Sequence, residues 1–271
     1  MNITDTFDSE KIEYFSAVPL DGSDIVRADI CTRRGISPDA LRTAIAFLIP
    51  YYCRDEREGN ISLYARPCDY HAYCDDLFAR ICPELSSEYG GTFVGFADKS
   101  PIEETSLAVR ARLGSRGDSY VILNEKYGSF VFIGEILTDN DISVFGDVWH
   151  TSRDGLCTHC GACRRACPMT SGHGECLSSL TQKKGELTED ERSYIREYGY
   201  AWGCDICQLA CPVNRAAMDS GVQTPIEYFR QNRIVDLDGD ILSSLDDEEF
   251  ARRAFSWRGR KTLIRNIGII G

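Results

Sequence analysis

Eight of the thirteen cysteines fall between residues 157 and 211, in two runs with one cysteine between them. The first run is Cys157, Cys160, Cys163 and Cys167, closed by Pro168; Cys176 stands alone; Cys204, Cys207 and Cys211 follow, closed by Pro212. Two residues between thiolates let a tight loop set three sulfurs around one face of a cubane cluster, and the cysteine before the proline ligates the other cluster of a pair. The spacing therefore assigns Cys157, Cys160, Cys163 and Cys211 to one 4Fe–4S cluster and Cys167, Cys176, Cys204 and Cys207 to a second. Structural zinc uses two C-x2-C pairs and has no need of such a run, and neither has a disulfide scaffold. The chemistry these residues can do is electron transfer.

The other chemically capable residues carry less. Cys31, Cys53, Cys68, Cys74 and Cys82 have no ligand spacing and read as buried free thiols. His71, His150, His159 and His173 are scattered; His159 and His173 lie near the cysteine runs, where they read as surface or packing residues or as neighbours that tune a cluster. Asp236, Asp238 and Asp240 alternate as in a calcium loop, but that loop requires glycine at its sixth position and glutamate at its twelfth, where this chain has Ile241 and Asp247.

The elements that must position the cysteines belong to a chain of 271 residues, 43% of them hydrophobic, with a net charge of −12. That length supports a real core in one large domain or two small ones. There is no run of eighteen apolar residues, and the first residues are acidic and polar, so no membrane span is expected and the expected location is cytoplasmic. Thirteen cysteines in such a chain imply reduced thiols. The acidic balance excludes sequence-independent nucleic-acid binding over the whole surface. Charge is nonetheless uneven: seven acids crowd residues 236–249, and six bases, Arg252, Arg253, Arg258, Arg260, Lys261 and Arg265, crowd 252–265 with no acid among them. The basic stretch reads either as a solvated helix face or as a surface for a polyanion.

The expected class is α+β: an α/β cofactor or substrate domain over residues 1–150, a ferredoxin-like dicluster domain over 151–220, and an acidic loop with a basic helix over 221–271. The apolar run ending at Tyr52 reads as a buried strand, and the apolar spacing over 68–85 as a helix. Residues 91–98 read as a strand, Pro101 opens an amphipathic helix with acids first and arginines last, and Gly114 ends it. Residues 120–124 and 129–137, joined by Glu125-Lys126-Tyr127-Gly128, read as a hairpin. A dicluster domain needs no such preceding domain merely to carry electrons, so that domain is expected to hold what the clusters reduce.

Several segments carry a resemblance to the epoxyqueuosine reductase family: YARPCDYH (64–71), FADKSPIEE (96–104), GSFVFIGEILTD (128–139), the first cysteine run, ECLSSLT (175–181), GCDICQLACPVN (203–214) and RRAFSWRGRKTLIRNIGII (252–270). The resemblance implies an oxidoreductase that takes electrons from a flavodoxin- or ferredoxin-type donor, through two 4Fe–4S clusters, to a bound cobalamin, and reduces epoxyqueuosine in tRNA to queuosine or acts on a related substrate. It also implies a ligand role for Cys176 and places Asp98 at the family's proton donor. Ile122, Ile133, Leu137, Ser178 and Asp205 fall at positions near the corrinoid. Taken alone, Asp98 before Pro101 is also a good helix N-cap. A carboxyl at a strand end, partly desolvated, would hold its proton at neutral pH.

The chain departs from this family in the loop after the Pro101 helix, where Ser115 and Asp118 replace a tryptophan and a lysine. It reads as a short, divergent member without the helical repeats that follow the basic helix in many relatives. A tRNA partner is implied by the family and opposed by the acidic charge. The alternative is a non-catalytic 4Fe–4S electron-transfer protein serving a partner reductase.

Overall fold

A computed structural model describes residues 2–147, 149–169 and 176–271, and divides the chain into two compact units, residues 1–50 with 73–159 and residues 51–72 with 160–271. In chain order the first unit begins α1 (Ile3–Ser9), β1 (Phe15–Pro19), α2 (Ala28–Arg33) and β2 (Thr43–Pro50). It continues with α3 (Tyr70–Tyr89), β3 (Phe93–Phe96), α4 (Glu104–Arg110), β4 (Ser115–Arg116), β5 (Ile122–Leu123) and β6 (Val131–Thr138). Four strands form one sheet in the order β1-β2-β6-β3, antiparallel at every pairing.

Every residue of β2 is buried, as its unbroken apolar run requires. On one face of the sheet the rings of Phe7 and Phe15 stack at 4.6 Å, and Phe7 lies 5.1 Å from Phe47. Helix α3 presents Phe78 to that sheet, and only glycine fits beneath it: a Cβ at Gly95 would lie 2.0 Å from the Phe78 ring. The other face of β6 carries Ile133, Glu135 and Leu137 in alternation, and α4 packs across β2 and β6.

Two expected elements form differently. The hairpin over 120–137 is replaced by a change of partners. β5 pairs with β4, while β6 is bordered on its two edges by β2 and β3. Only the Asn124–Gly128 bridge closes the turn, held by the Asn124 side chain, which accepts from the amides of Lys126 at 3.0 Å and Tyr127 at 3.1 Å. Helix α4 starts three residues after Pro101 and is capped by Glu103, whose carboxylate accepts from Ser106 N–H at 2.6 Å, so Asp98 is not its cap. It ends at Arg110. Gly114 serves close approach, since a Cβ there would lie 2.2 Å from the Leu123 carbonyl oxygen on β5.

The second unit is helical among the described residues: α5 (Ala162–Ala166), α6 (Leu177–Gln182), α7 (Glu189–Tyr198), α8 (Ile206–Leu209) and α9 (Pro212–Asp219), then α10 (Gly239–Ser244), α11 (Asp247–Ala251) and α12 (Arg260–Ile270). Thr188 and Glu191 form a capping box at the start of α7, and Gly199 ends it in the left-handed region. Residues 51–72 join this unit through the backbone. Ser62 N–H donates to the Trp202 carbonyl at 2.9 Å, Thr224 N–H to Tyr52 at 2.7 Å and Ile234 N–H to Arg66 at 2.8 Å. Ile61 and Ala65 share a core with Trp202, Leu237, Phe255 and Leu263. A second core gathers Met169, Leu177, Leu180, Leu187, Ile195 and Ile269.

A buried ion-pair triad fixes the 51–72 segment further. Asp55 accepts from Arg66 at 2.5 Å and from Arg233 at 2.7 and 3.1 Å, with all three side chains about nine-tenths buried. Burial alone would raise the Asp55 pKa, but the bonds from Arg233 and Arg66 hold it below the usual carboxylate range.

Helix starts account for part of the acidic stretch: Asp238 caps α10 and Asp246 caps α11. Much of the basic stretch is internal. Arg253 donates to the Asn232 carbonyl, Arg260 to Leu242 and Leu245, each at 2.7 Å, and Arg265 to Lys183 and Gly185 at 2.7 and 2.6 Å.

Candidate functional site

The cysteines of the second unit converge on short helices. Helix α5, bearing Cys163, packs against α8, bearing Cys207. Burial raises the Cys207 thiol pKa to about 11, and the nearby thiols of Cys176 and Cys167, then Asp205, then Cys163, raise it further. Burial pushes Cys204 to about 12, with Asp205, Cys176 and Cys207 adding to it. Partly buried thiols that raise one another's pKa, as at Cys204 and Cys207, favour the protonated form. They become a set of thiolates when positive iron or another soft metal supplies the compensating charge. That donor set, all sulfur, partly buried and mutually repelling when charged, fits an iron–sulfur cluster. Cys163, Cys167 and Cys176 all act on Cys207, and Cys176 also acts on Cys204. Cys211 is the N-cap of α9, with Pro212 at the first helical position.

Cys157 belongs to the first unit, beside the loop that departs from the family pattern. Ser115 Oγ accepts from Leu156 N–H at 3.1 Å, and Asp118 Oδ1 lies 2.9 Å from His159 Nδ1. Cys157 Sγ is 4.0 Å from the same imidazole nitrogen. Ser115 thus holds the backbone before Cys157, and Asp118 holds the imidazole of His159, with φ +53°, after it. His173 lies outside the described residues. His71 bonds Asp69 at 2.8 Å, and His150 pairs with Phe15 through the backbone. Of the five cysteines without ligand spacing, Cys31, Cys53, Cys74 and Cys82 are buried, and Cys68 is half-buried.

Asp98, two residues beyond β3, is in a left-handed conformation, φ +64°, and is exposed. The desolvation expected of it falls instead on two glutamates that sequence reading passed over. Glu135, fully buried on β6, accepts from the Ser100 hydroxyl, and its Oε1 has no partner. Glu104, in the first turn of α4, accepts from the Asp98 backbone N–H, and its own Oε1 is likewise buried and unpartnered. Burial raises the Glu104 pKa to about 7, with Asp98 adding to it, and burial raises Glu135 far more, with Glu104 adding to it. The signal available in sequence was a lone acid in an otherwise apolar strand, Glu135 in VFIGEILT.

The residues expected near a corrinoid divide by exposure. Ile122, Leu137 and Asp205 are buried, while Ile133 and Ser178 are partly exposed. Ser178 Oγ accepts from Gln182 at 3.0 Å. Asp205, between Cys204 and Cys207, accepts from Ser62 Oγ at 2.5 Å and from Leu63 N–H at 2.7 Å, and burial raises its pKa. It joins the cysteine helix to the 51–72 segment. Asp205→Ala leaves two buried donors unsatisfied and is expected to cost about 2 kcal/mol or more, read as a lower midpoint in urea unfolding.

No protein-family model matches the chain. Its fold, mixed helix and sheet with a cysteine-rich helical unit, is that of solved redox enzymes. The structures are epoxyqueuosine reductases: one from Streptococcus thermophilus aligns over 100% of this chain and 81% of its own, with a TM-score of 0.75 and 24% identity. Another, solved with an epoxyqueuosine-modified tRNA stem loop, aligns over 98% of this chain and 80% of its own, with a TM-score of 0.69 and 20% identity. The curated epoxyqueuosine reductase of Listeria monocytogenes is 33% identical over 82% of this chain and 59% of its own length. That of Leadbetterella byssophila is 29% identical over 86% and 78%. The chain is a relative of the epoxyqueuosine reductases, and it spans about three fifths of the length of the Listeria and Lactococcus garvieae proteins it matches. No helix among the described residues is long and apolar enough to cross a membrane.

Proposed function

We propose that the chain is an iron–sulfur oxidoreductase that removes the epoxide oxygen of epoxyqueuosine in tRNA. The observation that carries this reading is the eight-cysteine pattern, with Cys163, Cys167 and Cys176 acting on Cys207 and Cys176 also on Cys204, in a chain related to enzymes of that name. Cys157, Cys160, Cys163 and Cys211 would hold one 4Fe–4S cluster, and Cys167, Cys176, Cys204 and Cys207 the other, in a ferredoxin-like arrangement charged by a flavodoxin- or ferredoxin-type donor. Cobalamin, when bound, supplies a strongly reducing centre for breaking a carbon–oxygen bond.

Within that scheme the chain's own residues bind, orient and protonate. Ile133 and Ser178 keep the exposure needed to touch a ligand, whereas Ile122, Leu137 and Asp205 are buried, each within its own unit. Asp98, exposed two residues beyond β3, delivers a proton to the departing oxygen. One solved epoxyqueuosine reductase, from Bacillus subtilis, is described with a catalytic aspartate loop swung out of its active site. The segment around Asp98 is the counterpart we assign here. Arg252, Lys261 and the 57% exposed ring of Trp257, with Arg258 3.7 Å above it, are the groups of the basic stretch that face outward to meet phosphate and base.

The test is direct. The purified protein, loaded with clusters and cobalamin and reduced, is incubated with an epoxyqueuosine-containing tRNA, and the nucleosides are analysed by mass spectrometry. Conversion to queuosine is expected. Intact clusters with no corrinoid uptake and no conversion would instead make the chain an electron carrier.

A further inference from the structure

Taking an epoxide to an alkene consumes two electrons and two protons: both carbon–oxygen bonds break, the carbons become doubly bonded, and the oxygen leaves as water. A single carboxyl at Asp98 provides one proton. Two more carboxyls lie beside this segment. Glu104 holds the Asp98 backbone by accepting its N–H, and Glu135 faces α4 from the neighbouring strand. Each has one buried oxygen without a partner.

We propose that Glu104, backed by Glu135, is the positioning residue that stores the second proton and returns it to Asp98. This rests on the functional reading above. The groups facing the pair are few. Asp98 and Glu103 add negative charge. Arg27 is a cation that acts on both glutamates, and its guanidinium bonds the carbonyls of Ser100 and Asp98. Ser100 donates its hydroxyl to Glu135 while accepting from Ile102 N–H at 3.1 Å. Strand β2, packed against both α4 and β6, offers no titratable side chain.

Two buried carboxyls this poorly compensated cannot both ionise, so at least one proton stays with them at neutral pH. Because Glu104 is raised to about 7, it is the member that exchanges near neutrality, holding its proton below that pH and losing it above. Transfer to Asp98 runs between neighbouring residues, since the Glu104 carboxylate already bonds the Asp98 N–H. The left-handed backbone at Asp98, uncommon for a non-glycine residue, is the conformation in which its N–H meets Glu104.

The experiment has an arm that needs no turnover. Infrared titration of the wild-type protein is expected to show a carboxyl C=O stretch that disappears near pH 7, is absent in Glu104→Gln and persists in Asp98→Asn. In the turnover arm, Glu104→Gln is expected to slow the reaction at pH 6.5 by about tenfold or more, the lower end of proton-transfer effects, and to lose the decline above pH 7, with cluster absorbance unchanged. A wild-type protein with no carboxyl titrating near neutrality overturns the proposal without any variant. So does a Glu104→Gln enzyme with the wild-type pH profile, which would leave the epoxide reductase reading standing. A wild-type protein inactive on epoxyqueuosine tRNA but with the infrared titration intact sinks the functional reading instead, and with it the returned proton.

Discussion

Asp55→Ala is expected to destabilise the second unit by about 3–5 kcal/mol, because it leaves two buried guanidinium groups without their anion. Arg66 also donates to the Ile61 carbonyl at 2.9 Å, and Arg233 to the Phe229 carbonyl at 3.1 Å, so neither can turn to solvent without breaking a second bond. For an exposed ion pair the same change would cost under about 1 kcal/mol. Here the side chains are only 8–10% exposed, which decides the matter. Urea unfolding followed by circular dichroism reads the loss directly; a midpoint within error of wild type would show that the triad contributes nothing. Because burial and the arginines together set a depressed Asp55 pKa, the stability it gives is present above the ordinary aspartate range and fades as pH falls through the lowered value.

Asp98→Asn is expected to reduce turnover on epoxyqueuosine tRNA by about a hundredfold or more, the usual scale for removing a general acid. Asparagine keeps the shape and the backbone conformation, being one of the residues most tolerant of positive φ, so the Glu104 bond to the residue 98 N–H survives. Folding, iron content and corrinoid uptake are expected to match wild type. Single-turnover kinetics with preloaded protein separate the two effects: a normal rate in the variant would remove Asp98 from the reaction, whatever the substrate proves to be.

Periodicity carried the sequence reading a long way. Apolar spacing in 68–85 marks α3 because helical burial repeats every three to four residues, and Tyr73, Cys74, Leu77, Phe78, Ile81, Cys82 and Leu85 are the buried set. The strands containing Ile45 and Phe96 were readable for the same reason. What periodicity does not encode is the identity of a strand's neighbour. The residues 120–137 have the composition of a hairpin, and their turn does close at Asn124 and Gly128, but both edges of β6 are taken by strands distant in sequence.

The site was half readable. Thiolate spacing is a local property, so the cysteine runs stand out in one dimension. The Glu104 and Glu135 pocket joins a helix start to a strand across thirty residues, and each acid alone has an ordinary explanation, a dipole partner for one and a tolerated polar position for the other. Likewise nothing in the composition of 51–72 sets it apart from its flanks; its membership of the second unit rests on long-range bonds such as Ser62 to Asp205.

Because residues 51–72 belong with 160–271, the polypeptide passes between its two compact units three times, near residues 50, 72 and 159. During synthesis the second unit therefore begins before the first is finished and closes only after both cysteine runs have left the ribosome. A gene break anywhere between codons 73 and 159 severs both units at once. Neither can be cut out, swapped or grafted as one continuous cassette, and residues 51–72 must wait through the synthesis of 73–159 for the rest of their unit.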